Sequence, residues 1–288
     1  MSANASQGPI SVPLRIDAGE LSEVVDRHLA RTDGTGWNLF TSFDWKQVDA
    51  DRLSDDQRLA VQFITTIEDH LPGYFAEYAR LFPVDESADR ASYLHNRELY
   101  RFTVRWAEEE ERHSHVLFRY QVEAGIAGAQ ELRERLFEEG RKRFTLTHTE
   151  PVQVVAYTLV QEKATFLYYR ARADAIDEPV LRAILGRLAR DEARHFAFFS
   201  RLMESYVHAH GERTIDPVRE ALAGFKMPLA ETLANYWRIA LRISDAAGGY
   251  DYTEAFDDLV RVVKRAADAG SWSRTNTLVD FVDAVRRH

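Results

Sequence analysis

The fold is decided by Arg105–Leu117, RWAEEEERHSHVL, because a later stretch, Arg190–Phe199, RDEARHFAFF, nearly repeats its arrangement. Each places a histidine three residues after a glutamate: Glu110 with His113, and Glu192 with His195. Residues three apart on an α-helix are neighbours on one face. Phe102, Trp106, Leu117 and Tyr120 share that face with the first pair; Leu185, Leu188, Phe199 and Leu202 share it with the second. Both polar pairs therefore point with the apolar residues, into a core. A carboxylate there is costly unless it is paired or bound to a cation.

Two further carboxylates extend the pattern. Glu162 lies between Val155, Leu159, Phe166 and Tyr169 at helical spacing, and Glu68 lies beside Ile64, Ile67 and Leu71. One copy of Glu-x-x-His in a chain with 29% charged residues reads as a surface ion-pair face. Two inward copies plus a single inward Glu from each of two other helices match the ligand set of ferritin-like di-iron and di-manganese bundles. Four carboxylates offset two divalent cations, and oxygen with imidazole suits iron or manganese while also admitting zinc.

Composition narrows the alternatives. With no cysteine, the chain has no disulfide, thiolate zinc site or cysteine-ligated iron–sulfur cluster. Its net charge of −9 gives no footing for nucleic-acid binding. No apolar run reaches the ~20 residues that span a bilayer, and the opening MSANASQGPISVP lacks the apolar core of a signal peptide. A cytoplasmic protein is expected.

Scarce Gly and Pro, with abundant Ala, Leu, Arg and Glu, favour helix. Ser54 and Gln57 form a capping box that starts a first long helix, with a stripe of Leu59, Phe63, Ile67 and Leu71. A second runs from about Ala91 to Ala124, and a short charged one from Ala129 to Phe144. Pro151 and Pro179 open a third and a fourth, at first-turn positions. Helical patterns follow over Leu21–Thr32 near the start, and over Pro228–Ile243, Tyr252–Ala267 and Thr275–Arg287 near the end. The expectation is one all-α domain, a ferritin-like four-helix bundle over 1–288 with additional C-terminal helices, residues 1–20 forming a flexible arm.

The motifs WAEEEERH (Trp106–His113), QEKATF (Gln161–Phe166), DEARH (Asp191–His195), EDHLPGY (Glu68–Tyr74) and KMP (Lys226–Pro228) resemble those of the soluble acyl-[acyl-carrier-protein] desaturases. They run in family order from about residue 40 to 245. The resemblance implies two iron ions held by Glu68, Glu110, His113, Glu162, Glu192 and His195. It places Thr165 beside the oxygen-binding face and Asp191 next to a ligand, on the route of electron delivery. Trp106 falls one turn before a ligand. It implies dioxygen as co-substrate, a ferredoxin-type electron donor, a carrier-bound acyl chain receiving a cis double bond, and a homodimer. His70, the segment between Ala129 and Phe144, and the Ser114–His115 pair depart from the family pattern.

Glu109 and Asp191 are candidates to hold imidazoles across the bundle, and the acyl chain that the resemblance implies needs an apolar tunnel, for which Phe166, Tyr169 and Phe199 are candidates. Arg141–Arg143 and Lys226 are candidates for a basic docking patch facing an acidic acyl carrier protein. Trp37 and Trp45 read as core anchors. Rival readings keep the fold: a desaturase-like oxygenase acting on another small or carrier-tethered substrate, an iron-storage protein, or a radical-generating subunit.

Overall fold

The computed structural model describes residues 13–245, 253–267 and 275–285. These contain eleven α-helices and no strand: α1 (Ala18–Thr32), α2 (Asp55–Glu68), α3 (Leu71–Leu81), α4 (Arg90–Glu123), α5 (Ala129–Gly140), α6 (Pro151–Ala175), α7 (Pro179–His210), α8 (Ile215–Ala223), α9 (Tyr236–Asp245), α10 (Glu254–Ala267) and α11 (Thr275–Val285). None is long and apolar enough to cross a membrane.

The starts are written locally. The Ser54 hydroxyl accepts from Gln57 N, and the Gln57 side chain accepts from Ser54 N, closing the expected box at α2. Pro151 and Pro179 occupy first-turn positions, where a missing N–H costs nothing. Glu178 caps α7 by accepting from Val180 N and Leu181 N, and also receives the Tyr120 hydroxyl at 2.9 Å.

Paired α2–α3, α4, α6 and α7 form the all-α, ferritin-like bundle. Its apolar core is two bodies. One holds Phe102, Trp106, Leu159, Phe199 and Leu202; the other holds Ile64, Leu117, Tyr120, Tyr169, Leu185 and Leu188. Followed along the chain, α4 and α6 pass from the first body to the second, whereas α2–α3 and α7 pass the other way. The parallel pair α4 and α6 is joined by a crossover carrying α5. Between the two bodies every long helix presents its acidic or imidazole residues.

Three expectations need correction. Leu14 and Ile16 are buried in the core, and Leu14 N donates to Glu150 Oε2 at 2.9 Å, so residues 13–20 are docked and α1 begins at Ala18. Residues 1–12 lie outside the described residues. The first long helix stops at Glu68 and resumes at Leu71. Pro72 has no N–H to give the Glu68 carbonyl four residues back, and its ring crowds that carbonyl. The run expected as helix from Pro228 instead turns through Leu229 and Asn235, at φ of 62° and 60°, before α9 begins at Tyr236. Left-handed backbone at two non-glycine residues cannot sit inside an α-helix.

Candidate metal centre

The inward faces drawn from helical spacing are the buried faces. Glu68, Glu110, His113, Glu162, Glu192 and His195 are all buried between the two apolar bodies. Their ligand atoms form two groups, each within 4.8 Å internally: Glu68, Glu110, His113 and Glu192, and Glu110, Glu162, Glu192 and His195. Glu110 and Glu192 belong to both.

The sharing is resolved oxygen by oxygen. Glu110 places Oε2 3.4 Å from His113 Nδ1 and Oε1 3.1 Å from His195 Nδ1. Glu192 places Oε1 3.4 Å from His113 Nδ1 and Oε2 3.6 Å from His195 Nδ1. Each of these carboxylates thus faces both imidazoles, the disposition of a bridge. Glu68 Oε2 lies 3.8 Å from His113 Nδ1, and Glu162 Oε2 lies 3.3 Å from His195 Nδ1.

The far side of each ring is anchored crosswise. His113 on α4 donates through Nε2 to Asp191 Oδ2 on α7 at 3.2 Å, and His195 on α7 donates through Nε2 to Glu109 Oε2 on α4 at 2.8 Å. A ring nitrogen that donates on one side leaves the other free to ligate, and the donor bond fixes which side that is. Asp191 also receives the Trp37 indole at 2.8 Å and Arg194 Nη2 at 2.5 Å. Arg194 also reaches Glu109, at 3.6 Å, and Arg112 approaches Glu109 at 3.8 Å.

Do these residues fit a metal pair? His113 Nδ1, His195 Nδ1 and Glu162 Oε2 are buried and make no hydrogen bond. Buried polar atoms in native proteins rarely lack a partner, and these three face into the two groups. Charge points the same way. Without a cation, burial pushes the Glu68 carboxyl up to about 7. Burial and the neighbouring Glu192 carry Glu162 well above the usual carboxylate range. Burial opposes charge on both rings, yet Glu110 and its neighbours raise His113 well above 6.5, and Glu162 and its neighbours do the same for His195. Glu110 is held low against its own burial, chiefly by His113. Carboxylates that must borrow protons to stay inside are suited to cations, and oxygen with imidazole is a donor set for iron or manganese.

The break after Glu68 is itself supported. Tyr74 donates its hydroxyl to the Ile67 carbonyl at 3.0 Å, and Ser114 donates to Asp69 Oδ1 at 2.7 Å. His70 folds over Gly73 so closely that a Cβ there would stand 2.5 Å from its Nε2. Of the residues that depart from the family pattern, His70 and Ser114 thus pack around the end of α2, whereas His115 is exposed and sits edge-on to Phe40.

An apolar cavity of about 310 Å³ reaches the cluster. Glu68, Glu110, Glu192, Trp106 and Thr165 form its inner wall; Ile64, Ile67, Tyr168 and Tyr169 its sides; and Met227, Tyr236, Trp237, Leu241 and Ile243 its outer part. Trp237 is 47% exposed and Leu241 65%. Thr165 donates to Gln161 O at 3.0 Å, and Trp106 donates its indole N–H to Glu162 Oε1 at 3.2 Å. Of the expected tunnel residues only Tyr169 lines this cavity. Phe199 sits edge-on to Phe102 and Phe198, and Phe166 lies under Lys163. Three of the four cations of the expected basic patch are paired locally: Arg141 with Glu138, Lys142 with Glu139, and Lys226 with Glu231. Trp37 is buried as expected, and its bond to Asp191, 154 residues away, had no signal in the sequence. Tyr169 also has a role beyond a tunnel wall, since its hydroxyl donates to Glu68.

Comparison with known proteins adds the following. The family model for fatty acid desaturases matches residues 35–266. DesA1 of Mycobacterium tuberculosis H37Rv, by its name an acyl-[acyl-carrier-protein] desaturase, is 24% identical over 268 residues, covering 85% of this chain and 75% of that protein. The chloroplastic acyl-[acyl-carrier-protein] desaturase 6 of Oryza sativa subsp. japonica is 26% identical over 212 residues, 67% of this chain and 49% of that protein. The X-ray structure of M. tuberculosis DesA2 superposes with a TM-score of 0.57 at 19% identity, covering 90% of this chain and 98% of that one, which is a likeness of fold.

Proposed function

The chain belongs to the fatty acid desaturase family, and from that premise we propose that it is a di-iron acyl-[acyl-carrier-protein] desaturase. Its reaction inserts a cis double bond into a carrier-bound acyl chain. The observation that carries this reading is the apolar cavity ending on Glu68, Glu110 and Glu192, three of the four carboxylates in the two ligand groups. An iron-storage protein has no use for an apolar passage to its metals.

In this reading Glu68, Glu110, His113 and Glu192 would hold one iron, and Glu110, Glu162, Glu192 and His195 the other. Two irons held there would supply the site at which dioxygen is reductively activated. The balance is one acyl CH2–CH2 unit, dioxygen, two electrons and two protons giving CH=CH and two waters. The electrons come from an external donor of the ferredoxin type.

The chain's own residues supply position and dryness. Ile64, Ile67, Tyr168, Met227 and Ile243 hold the acyl chain by apolar contact and displace water from it. This fixes one C–H pair near the carboxylates, where proximity is worth several kcal/mol of barrier. Thr165 gives its own proton to Gln161 O, which leaves its oxygen available on the inner wall as a proton acceptor. Asp191 and Glu109 keep the two imidazoles aimed. The protein works as a cytoplasmic homodimer with acyl carrier protein as its substrate-bearing partner.

The test is incubation with a reducing system, dioxygen and acyl carriers of several lengths, followed by mass spectrometry. Loss of two hydrogens from the acyl chain supports the reading. A product that gains oxygen instead would move the chemistry to a hydroxylase. Glu162→Gln is expected to lower iron uptake and abolish turnover in a folded protein; full iron and full turnover would remove Glu162 from the ligand set.

A further inference from the structure

The two outer carboxylates are treated alike. Glu162 gives Oε1 to the Trp106 indole and leaves Oε2 without a hydrogen bond, 3.3 Å from His195 Nδ1. Glu68 gives Oε1 to the Tyr169 hydroxyl and turns Oε2 toward His113 Nδ1. In each case one oxygen is occupied by an aromatic donor on a neighbouring helix, and the other faces the ligand group. Neither Glu110 nor Glu192 has such a donor; each faces both groups with its two oxygens.

We propose that Tyr169 is a positioning residue that orients the Glu68 carboxylate toward one ligand group, and so tunes one metal position without affecting the other. The proposal rests on the di-metal reading above and goes beyond it. Three features of the structure support it.

Glu68 is the last residue of α2, followed by the interruption at Asp69–His70, so its backbone is held less firmly than that of ligands in mid-helix. Its carboxylate therefore depends more on a side-chain anchor. Tyr169 is buried and lies seven residues after Glu162, two helical turns along the same face of α6. One helix thus supplies a ligand to one metal position and the anchor of a ligand to the other. Finally, Glu68 belongs to only one of the two groups, so a fault in its placement has a local signature. Outer hydrogen-bond partners of metal ligands are commonly worth about 10–100-fold in metal affinity.

The experiment is metal titration of apo protein with cobalt(II), read by its d–d absorption and by bound stoichiometry, so that it does not depend on turnover. Wild type is expected to bind two equivalents. Tyr169→Phe, which removes only the hydroxyl, is expected to bind one equivalent at wild-type affinity and the other at least about 10-fold more weakly, with an altered spectrum. Two further backgrounds assign the effect. In His195→Ala, where the Glu68 side survives, adding Tyr169→Phe weakens the remaining equivalent. In His113→Ala, where the Glu162 side survives, it leaves the remaining equivalent unchanged. A folded Tyr169→Phe protein that binds both equivalents like wild type, or that weakens both equally, overturns the proposal. Wild type that takes up no metal overturns instead the reading on which it rests.

Discussion

Glu109 and Asp191 each stand immediately before a shared glutamate, and each orients the imidazole of the opposite helix. The repeated motif is therefore two residues richer than Glu-x-x-His. Its first acidic residue serves the partner helix, and the arginine before each histidine, Arg112 or Arg194, approaches the Glu109 carboxylate. All six proposed ligands were legible in the sequence because chemistry and helical period coincide there. Tyr169 on Glu68 and Trp37 on Asp191 were not, because an aromatic residue on an apolar face looks the same whether or not its polar tip is used. His28 shows a different residue-scale effect. It lies edge-on between Phe102 and Phe198, and burial lowers its pKa from 6.5 to about 4. The folded chain keeps this ring neutral while the unfolded chain protonates it below 6.5, so stability is complete above that pH and is lost as pH falls from 6.5 toward 4. At about 1.4 kcal/mol per pH unit the loss amounts to about 3 kcal/mol. Denaturant unfolding of His28→Phe is expected to show a flatter dependence over that interval; a slope equal to wild type would exonerate this histidine.

At the scale of elements, starts were easier to read than interruptions. Ser54 announces a helix through a capping bond to Gln57, and Pro151 and Pro179 through a backbone already set for the first turn. The stop at Glu68 was also written, in Pro72, but a continuing apolar stripe through Leu71 masked it. The turn before α9 was only half written locally: Asn235 is a residue type that tolerates left-handed backbone, whereas the buried Leu229 is not. Its consequence is a short helix laid across the mouth of the cavity. Tyr236 packs on Phe63, Arg172 donates to the Ile243 carbonyl at 2.7 Å, and Arg242 pairs with Asp56 at 2.5 Å. Trp237 and Leu241 line the opening while remaining largely exposed. Trp237→Ala is expected to raise KM for a carrier-bound acyl substrate several-fold, since an aromatic side chain contributes roughly 1.5–3 kcal/mol when fully buried and this one is half so. Iron stoichiometry should not change. A variant with normal KM would place substrate entry elsewhere.

Across the whole molecule, residues 68, 110, 162 and 192 meet at one layer although the chain between them includes a crossover from α4 to α6. Metal bound to the folded state alone adds about 2.7 kcal/mol per ion at a hundredfold excess over its Kd. Chelation is accordingly expected to lower Tm by several degrees, and restoring the ion to recover it; an unchanged calorimetric transition would show that the ligands bind nothing. The crosswise anchoring has one more effect. Asp191 reaches from α7 to a ring on α4, and Glu109 from α4 to a ring on α7, in opposite chain directions. Slippage of one helix along the other by a single turn, about 5.4 Å, would strand both imidazoles together. The centre is thus a two-pronged caliper, accepting a single alignment of these helices and rejecting its neighbours on either side.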